Sequence, residues 1–249
     1  MIIHSYENSQ RADTCIDYLK SSDKIKNVKK LFLLPIPSSR DKRTIWGTTV
    51  DIFDVFDAAE PMSLIVGYGL SDEFLDAAEE CGCMAFDVSR DEDFLLENAE
   101  LTALATLGII LTSTKKSPVD TKIGVVGYGR IGKRLCRHLL FQGARVRVYT
   151  STEDIRLDLC ECGIETLESC AEADLGGLDI LINTAPAKVF DVSLPSFPRD
   201  LRIIDLASGD NFPGIDVEKY PSIPAKMFPY TAGRAWGRSI ERFADNIYY

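Results

Sequence analysis

Short apolar runs and longer stretches with helical spacing alternate along the chain, and this alternation predicts an α/β fold. The apolar runs, which we interpret as buried strands, lie at 28–34, 62–67, 84–86, 123–126, 146–148, 163–166, 178–183, 201–206 and 225–228. The stretches with helical spacing lie at 8–20, 72–80, 94–111, 131–140, 153–162 and 232–249. Residues 52–56 fit either a weak strand or a short turn.

A long apolar helix divides the predicted elements into two groups. Its residues, 94–111, are apolar on nearly every face, so we expect the helix to be buried between two domains. A smaller flavodoxin-like α/β domain is predicted at 1–112. A Rossmann dinucleotide-binding domain with a doubly wound parallel sheet is predicted at 113–231, with a cleft between the two. The polar residues 113–121 predict a hinge, and the last helix, 232–249, is expected to pack back onto the first domain.

The fourth apolar run ends in the glycine spacing of a phosphate-binding turn. Gly127, Gly129 and Gly132 precede an amphipathic helix, with Arg130 and Ile131 at its start. In such turns the first glycine permits the tight bend, the second lets the backbone approach a pyrophosphate, and the third allows close helix–sheet packing. The free N–H groups at the helix N-terminus favour phosphate as well. The segment therefore predicts dinucleotide binding.

The ends of two later strands are expected to line the nicotinamide end of the site. Strand C-termini of an open α/β sheet face the ligand crevice. This places Asn183, Thr184 and Pro186 after one strand and Ser208 after the next beside the cofactor.

The turn after the second strand of the Rossmann domain predicts the choice of cofactor. NAD-selective folds carry an acidic residue there, which bonds the ribose 2′-hydroxyl. Here the turn reads Thr150, Ser151 and Thr152, with no carboxylate and no arginine, while Glu153 is expected to point away within the next helix. Arg130 of the glycine turn is the expected cation. We therefore expect NADP(H) to be favoured over NAD(H).

Composition argues against several other kinds of function. The net charge of −10 and the absence of a basic block argue against nucleic acid and against an anionic membrane surface as partners. No apolar run reaches the roughly 18 residues of a membrane span, and the start lacks the pattern of a signal peptide. We expect a cytoplasmic protein that forms a homo-oligomer.

The cysteines do not indicate a disulfide framework or a metal site. Their number, seven, is odd, and the chain is neither small nor loop-rich. Two Cys-x-Cys pairs, Cys81/Cys83 and Cys160/Cys162, have narrower spacing than zinc sites use. Each pair fits the end of a helix and the glycine that follows it. We expect reduced cysteines and no bound metal.

Several motifs together resemble the A subunit of bacterial dipicolinate synthase. The matching stretches are GYGRIG at 127–132, LDILINTAP at 178–186, IDLAS at 204–208 and TAG at 231–233, with a fainter match at 34–39. The resemblance covers well over half of the chain. It implies two α/β domains with a cleft, a nicotinamide cofactor that is usually NADPH, and formation of dipicolinate from a cyclic dihydrodipicolinate-type precursor. It also implies that the partner is a flavoprotein-like B subunit.

This chain departs from the family's pattern on the substrate side. Tyr230 stands where the family has lysine before TAG, Leu104 where it has an acidic residue, and Gly209 where it usually has a basic one. Three readings therefore stay open: a dipicolinate synthase A-type oxidoreductase, a dinucleotide-binding regulatory or assembly subunit that has lost catalysis, and a dehydrogenase of another small carboxylate.

The acid–base candidates are Asp205, Lys226 and Tyr230. D-2-hydroxyacid dehydrogenases use a histidine, but only His4 and His138 exist here, and neither lies near the expected crevice. Asp205 ends a strand at the crevice, where it could act on substrate or merely cap its own loop. Lys226 and Tyr230 precede the predicted last helix and could face the cleft or be structural.

Two loops are candidates for binding a small dicarboxylate, which needs hydroxyls, cations or helix N-termini. Ser38, Ser39 and Arg40 leave a buried strand of the first domain; the alternative is a solvated loop. Thr231, as the expected N-cap of the last helix, and Gly233 would contribute from the helix start.

Overall fold

The computed structural model describes residues 1–168, 175–186, 198, 200–209, 211–212 and 214–248. The chain divides into two compact units. The first comprises Met1–Asn98 with Pro224–Tyr249, and the second comprises Ala99–Ile223. The boundaries between the units lie inside the long apolar helix, at 98/99, and at 223/224. The sequence pattern predicted domain boundaries at 112/113 and 231/232.

The first unit has a four-stranded parallel sheet. Its strands are β1 (Ile2–Ser5), β2 (Lys30–Leu33), β3 (Leu64–Gly67) and β4 (Met84–Asp87), and they lie side by side in that order. Its helices are α1 (Gln10–Lys20), α2 (Val55–Ala58), α3 (Asp72–Glu80) and α8 (Pro229–Tyr248), together with the first turns of α4 (Glu92–Ser113).

Helices cover both faces of this sheet. Leu31 and Leu33 of β2 point to one face and pack with buried residues of α1 and α8, among them Trp236. Phe32, between them, points to the other face and packs with Phe74 of α3. The alternation follows from the two-residue period of a strand.

Helices α1 and α8 of the first unit cross at close range. A Cβ atom on Gly233 would lie 2.4 Å from the carbonyl oxygen of Arg11, and one on Gly237 would lie 2.5 Å from the ring of Tyr18. Both glycines are therefore required by packing. The helix starts at Pro229, so Thr231 lies inside its first turn, and the prediction that Thr231 caps the helix is wrong.

The second unit has a six-stranded parallel sheet. Its strands are β5 (Lys122–Val126), β6 (Arg145–Tyr149), β7 (Glu165–Leu167), β8 (Ile180–Asn183), β9 (Arg202–Asp205) and β10 (Glu218–Lys219), in the spatial order β10-β9-β8-β5-β6-β7. Its described helices are the rest of α4, α5 (Arg130–Phe141) and α6 (Glu153–Glu161); α7 (Ile223–Met227) starts where this unit ends. Numbered from β5, the order is 3-2-1-4-5-6, which is that of dinucleotide-binding sheets. The predicted fold class is confirmed, and the order reverses between β5 and β8.

One predicted strand is not found in the structure, and one open alternative is decided by it. Residues 225–227 belong to helix α7 rather than to a strand, and β10 is the sixth strand. Residues 52–56 form a 3₁₀ turn, Ile52–Asp54, that runs into α2, because the Asp51 side chain accepts a hydrogen bond from the N–H of Phe53. Within α5, Leu140 is 40% exposed, whereas Cys136 is buried.

Helix α4 is only partly buried, contrary to the sequence-based expectation. Ala103 and Ile110 are in the core of the second unit, but Leu104 is 37% exposed and Leu111 is 47% exposed. By length and composition this helix could cross a membrane, and 44% of its most apolar window is buried. Helices that pack in a protein core meet the same two criteria.

Candidate dinucleotide-binding site

The glycine turn between β5 and α5 forms an open cradle. Gly127 has φ +86°, a conformation that suits glycine, and Gly129 is the N-cap of α5. A Cβ on Gly129 would meet nothing within 4 Å, whereas a Cβ on Gly132 would lie 2.2 Å from the carbonyl oxygen of Gly127. Gly132 is thus required for packing, and Gly129 leaves space in front of the helix. A pyrophosphate fits that space.

The electrostatics at the start of α5 favour an anion. Among the described residues no side chain caps this helix, and no acidic residue lies in its first turn, which begins with the exposed Arg130 and the half-buried Ile131. The first N–H groups of a helix have no acceptor within it and carry partial positive charge. The turn can therefore hold phosphate through its backbone.

Thr184 ties the end of β8 to this turn. Its hydroxyl donates to the carbonyl oxygen of Val126 at 2.8 Å and lies 3.3 Å from that of Gly127, and its N–H also bonds Val126. Since the hydroxyl already has these acceptors, the side chain shapes the turn. The hydroxyl oxygen can still accept a hydrogen bond from a cofactor, because only its proton is engaged.

A buried polar cluster organises the ends of β8 and β9. The Asn183 amide donates to Asp205 Oδ1 at 2.9 Å and to the carbonyl oxygen of Ala185 at 3.2 Å. Asp205, 2% exposed, also accepts from the N–H of Ala207 and from the amide of Asn211. Sequence reasoning missed Asn211, which lies in a loop without a recognisable motif. Of the two roles considered for Asp205, the geometry supports the one in which its carboxylate caps its own loop.

The loop residues after these strands are exposed, unlike the buried strand ends. Pro186 and Ser208, both expected beside the cofactor, are not buried, and the carbonyl oxygen of Ser208 accepts from Asn211. They are accessible to a ligand in a way that the buried Asn183 is not.

The turn after β6 holds an arginine that the sequence did not place there. Arg156 lies in α6, but its Nη1 donates to the carbonyl oxygen of Thr150 at 2.8 Å, and its side chain is only 20% exposed. Glu168 is 3.7 Å from Nη2. Ser151 and Thr152 are exposed beside it. The turn therefore has hydroxyls and a cation.

The remaining catalytic candidates belong to the first unit. Lys226 is exposed in the short helix α7, and Tyr230 is 61% exposed in the first turn of α8, where its hydroxyl accepts from Arg234 at 3.3 Å. Thr231 is exposed next to it, whereas Gly233 is buried against α1. Gly233 is thus excluded as a substrate contact in this arrangement, because helix packing occupies its surface.

The predicted carboxylate-binding loop is largely engaged with itself. Ser38 is fully buried; its hydroxyl accepts from the N–H of Tyr68 at 2.7 Å and donates to the carbonyl oxygen of Pro35 at 3.0 Å. Ser38 is therefore closed to a ligand in this conformation of the loop, and its role in substrate binding stays a prediction. Ser39 donates to Asp41, and the exposed Arg40 stacks 3.6 Å over the ring of Trp46.

Asp41 is the residue that orders this loop. Its carboxylate accepts from the N–H groups of Thr44 and Arg43 and from the hydroxyls of Ser39 and Thr44. These bonds, the backbone ones first, hold the pKa of Asp41 well below its usual range.

The cysteines and metal-binding side chains add no second centre among the described residues. Burial raises the pKa of the Cys136 thiol to about 12, so this cysteine stays protonated. Over the residues that the structure describes, no three His, Cys, Asp or Glu side chains are grouped as metal ligands would be. Cys170 lies outside the described residues.

Comparison with known proteins agrees with this site. Residues 122–188 match the family model for the NAD binding domain of 6-phosphogluconate dehydrogenase. The A subunit of dipicolinate synthase from Bacillus subtilis (strain 168) is 24% identical over 198 residues, which are 75% of this chain and 67% of that protein.

Two solved structures share the fold over nearly the whole chain. The A subunit of dipicolinate synthase from Bacillus halodurans has a TM-score of 0.76 at 21% identity, and the match covers 98% of this chain and 96% of that one. The A chain of the Bacillus subtilis synthase has a TM-score of 0.75 at 18% identity, covering 99% and 95%. The chain therefore resembles the A subunit of dipicolinate synthase in sequence and in its two-unit α/β fold, and its second unit is an NAD-binding type of Rossmann domain.

Proposed function

We propose that the chain is an NADP(H)-preferring oxidoreductase of the dipicolinate synthase A type. It would act on a small cyclic dicarboxylate and form dipicolinate from a dihydrodipicolinate-type precursor. The observation that carries the proposal is the open space in front of Gly129, at the point where the strand order reverses, in a chain that resembles this synthase.

The residues of the glycine turn and of the turn after β6 bind different parts of the cofactor in this proposal. Gly127, Gly129 and the N-terminus of α5 hold the pyrophosphate, while Gly132 keeps the helix close to the turn. When bound, the nicotinamide cofactor accepts the hydride that a dihydropyridine ring must lose. Thr150 and Arg156 supply a hydroxyl and a cation for a 2′-phosphate. The Glu168 carboxylate, 3.7 Å from Arg156 and 74% exposed, would have to give way to the phosphate.

The substrate side is proposed from the residues that remain available. Ser39, Arg40 and Thr231 would hold carboxylates, and Lys226 or Tyr230 would take the proton that aromatisation of the ring releases. Asp205 acts as a positioning residue, since its carboxylate is buried and bonded to Asn183 and Asn211.

A second candidate function is a dinucleotide-binding regulatory or assembly subunit without catalysis. The favouring observation is that Asp205, the acid at the crevice, is committed to its own loop, while Tyr230 replaces the family's lysine.

The proposal has further parts that concern partners and location. We propose that the chain works with a flavoprotein-like B subunit, that it helps to make the dipicolinate of bacterial spores, and that it is cytoplasmic. The partnership follows from the resemblance to a protein whose name identifies it as one component of a synthase.

Calorimetry and absorbance at the reduced-nicotinamide band test the two functions. Titration with NADPH and NADH, with and without dipicolinate, should show tighter NADPH binding and an effect of the dicarboxylate. Freshly made dihydrodipicolinate with NADP⁺ should then give NADPH and dipicolinate in equal amounts. Cofactor binding with no dicarboxylate effect and no turnover would favour the non-catalytic subunit; absence of cofactor binding would refute both.

A further inference from the structure

Helix α5 carries an exposed basic and apolar surface outside the dinucleotide site. We name it the α5 ridge; it consists of Lys133, Arg134, Arg137, Leu140 and Phe141. Leu140 is 40% exposed and Phe141 is 87% exposed, and a concavity of about 430 Å³ runs along the basic residues. A solvent-exposed aromatic next to arginine is the kind of pair that concentrates binding energy at protein interfaces.

The positive charge of the ridge is poorly compensated. Helix α5 contains no aspartate or glutamate. In the described part of the chain, Glu100 is the acid bonded to it, and this single carboxylate lies 3.3 Å from both Arg134 and Arg137 and 2.6 Å from His138. The chain as a whole has a net charge of −10. The ridge is therefore a positively charged surface on an acidic protein.

The first unit carries a groove of opposite character, which we name the α3 groove. It has a volume of about 440 Å³ and is lined by Leu75, Glu79, Phe86, Asp87 and Phe243, among others. Phe86 and Phe243 stack with ring centroids 4.2 Å apart and form an aromatic wall. The groove borders β4, an edge strand of the sheet.

The border of the α3 groove is acidic. Helix α3 contains five carboxylates and no basic residue. Arg90, a cation that also lines the groove, lies 3.6 Å from Asp72 and 3.9 Å from Asp87, so nearby acids offset its charge. The α3 groove thus complements an aromatic side chain flanked by arginine, in both polarity and charge.

We propose that the α5 ridge of one copy docks into the α3 groove of a second copy of this chain. Phe141 enters the apolar groove, and Arg137 pairs with the acids of α3. The two surfaces differ, so the contact is heterologous and can extend to further copies. A second copy is favoured over an anionic membrane as occupant because its α3 groove offers acids to the arginines of the ridge and a concave aromatic wall to Phe141.

Sedimentation velocity on single and mixed variants tests this inference. A ridge variant, Arg137→Glu with Phe141→Ser, keeps its groove, and a groove variant, Glu79→Arg, keeps its ridge. Each alone should self-associate about tenfold or more weakly than wild type. Mixed together they should form a one-to-one dimer, because one intact ridge meets one intact groove; an interface between identical surfaces would not recover in this way.

Leu157→Ser is the matched control, since Leu157 is 58% exposed on α6, outside both surfaces. It should associate like wild type, and circular dichroism should show all variants folded. Wild type that stays monomeric at high micromolar concentration, or a mixture that stays monomeric, would overturn the inference. So would monomeric wild type that floats with phosphatidylglycerol vesicles, which would identify a membrane as the occupant.

Discussion

The carbonyl oxygen of Gly127 lies 2.2 Å from the place that a Cβ on Gly132 would occupy. No real Cβ contact is that short, so even alanine at position 132 must move the turn or the helix. The corresponding position at Gly129 is empty. Two glycines three residues apart are thus required for different reasons.

This difference predicts that two alanine variants differ in stability although both bind the cofactor more weakly. Gly132→Ala should lower the free energy of unfolding by about 1–3 kcal/mol, as overpacked sites do, and should also weaken cofactor binding. Gly129→Ala should leave stability nearly unchanged but weaken NADPH binding, because its methyl group enters the space of the pyrophosphate. Urea unfolding and calorimetry measure the two effects; wild-type NADPH affinity in Gly129→Ala would contradict the proposed cradle.

The Thr184 hydroxyl should be worth about one hydrogen bond. Thr184→Val keeps the shape but loses the bonds to Val126 and Gly127, and should cost about 0.5–1.5 kcal/mol of stability. Thr184→Ser retains the hydroxyl and should recover most of this loss. Both can be measured by urea unfolding. A loss in Thr184→Ser with none in Thr184→Val would show that the methyl group matters instead.

Arg156 should contribute to the choice of cofactor. If its guanidinium accepts the 2′-phosphate, Arg156→Gln should weaken NADPH binding by about 1.5–3 kcal/mol and leave NADH binding nearly unchanged. Arg145→Gln, which removes an exposed arginine at the start of β6, serves as control. A wild type that prefers NADH would refute the proposed cofactor choice, whereas an unchanged preference in Arg156→Gln would refute only the role of Arg156.

The loop around Asp41 should resist acid until the pH is well below the usual aspartate range. A carboxylate whose pKa is lowered on folding stabilises the loop above its unfolded pKa, and this contribution disappears as the pH falls toward the lowered value. The fluorescence of Trp46, stacked on Arg40, reports the loop. Asp41→Asn should shift its signal at neutral pH; an Asn variant identical to wild type from pH 7 to pH 3 would contradict the role of the carboxylate.

Local signals in the sequence predicted the frame of the site. The apolar runs predicted the central strands, and the glycine spacing predicted the turn between β5 and α5. Both signals depend on residues that are close to each other in the chain. Strand β1 was missed since its four residues are half exposed and carry no clear pattern.

Residues whose role depends on a distant partner were not predictable in the same way. Gly233 looked like part of an anion-binding helix start, but its role is set by helix α1, more than two hundred residues earlier in the chain. The Arg156 side chain donates a hydrogen bond to the carbonyl oxygen of Thr150 because it is long enough to span the first turn of α6. Ser38 was predicted to bind substrate because it carries a hydroxyl. In the structure that hydroxyl accepts a hydrogen bond from the N–H of Tyr68 in a neighbouring loop.

The discontinuity of the first unit has a consequence for synthesis. The core residues Ala12 and Leu19 of α1 pack with Trp236 and Ile240 of α8, which are synthesised after the second unit. The second unit, a continuous segment, is complete before that helix exists. During translation the first unit therefore lacks α8 on one face of its sheet until that helix is made. In this interval the apolar residues that α8 will cover are exposed to chaperones and to aggregation.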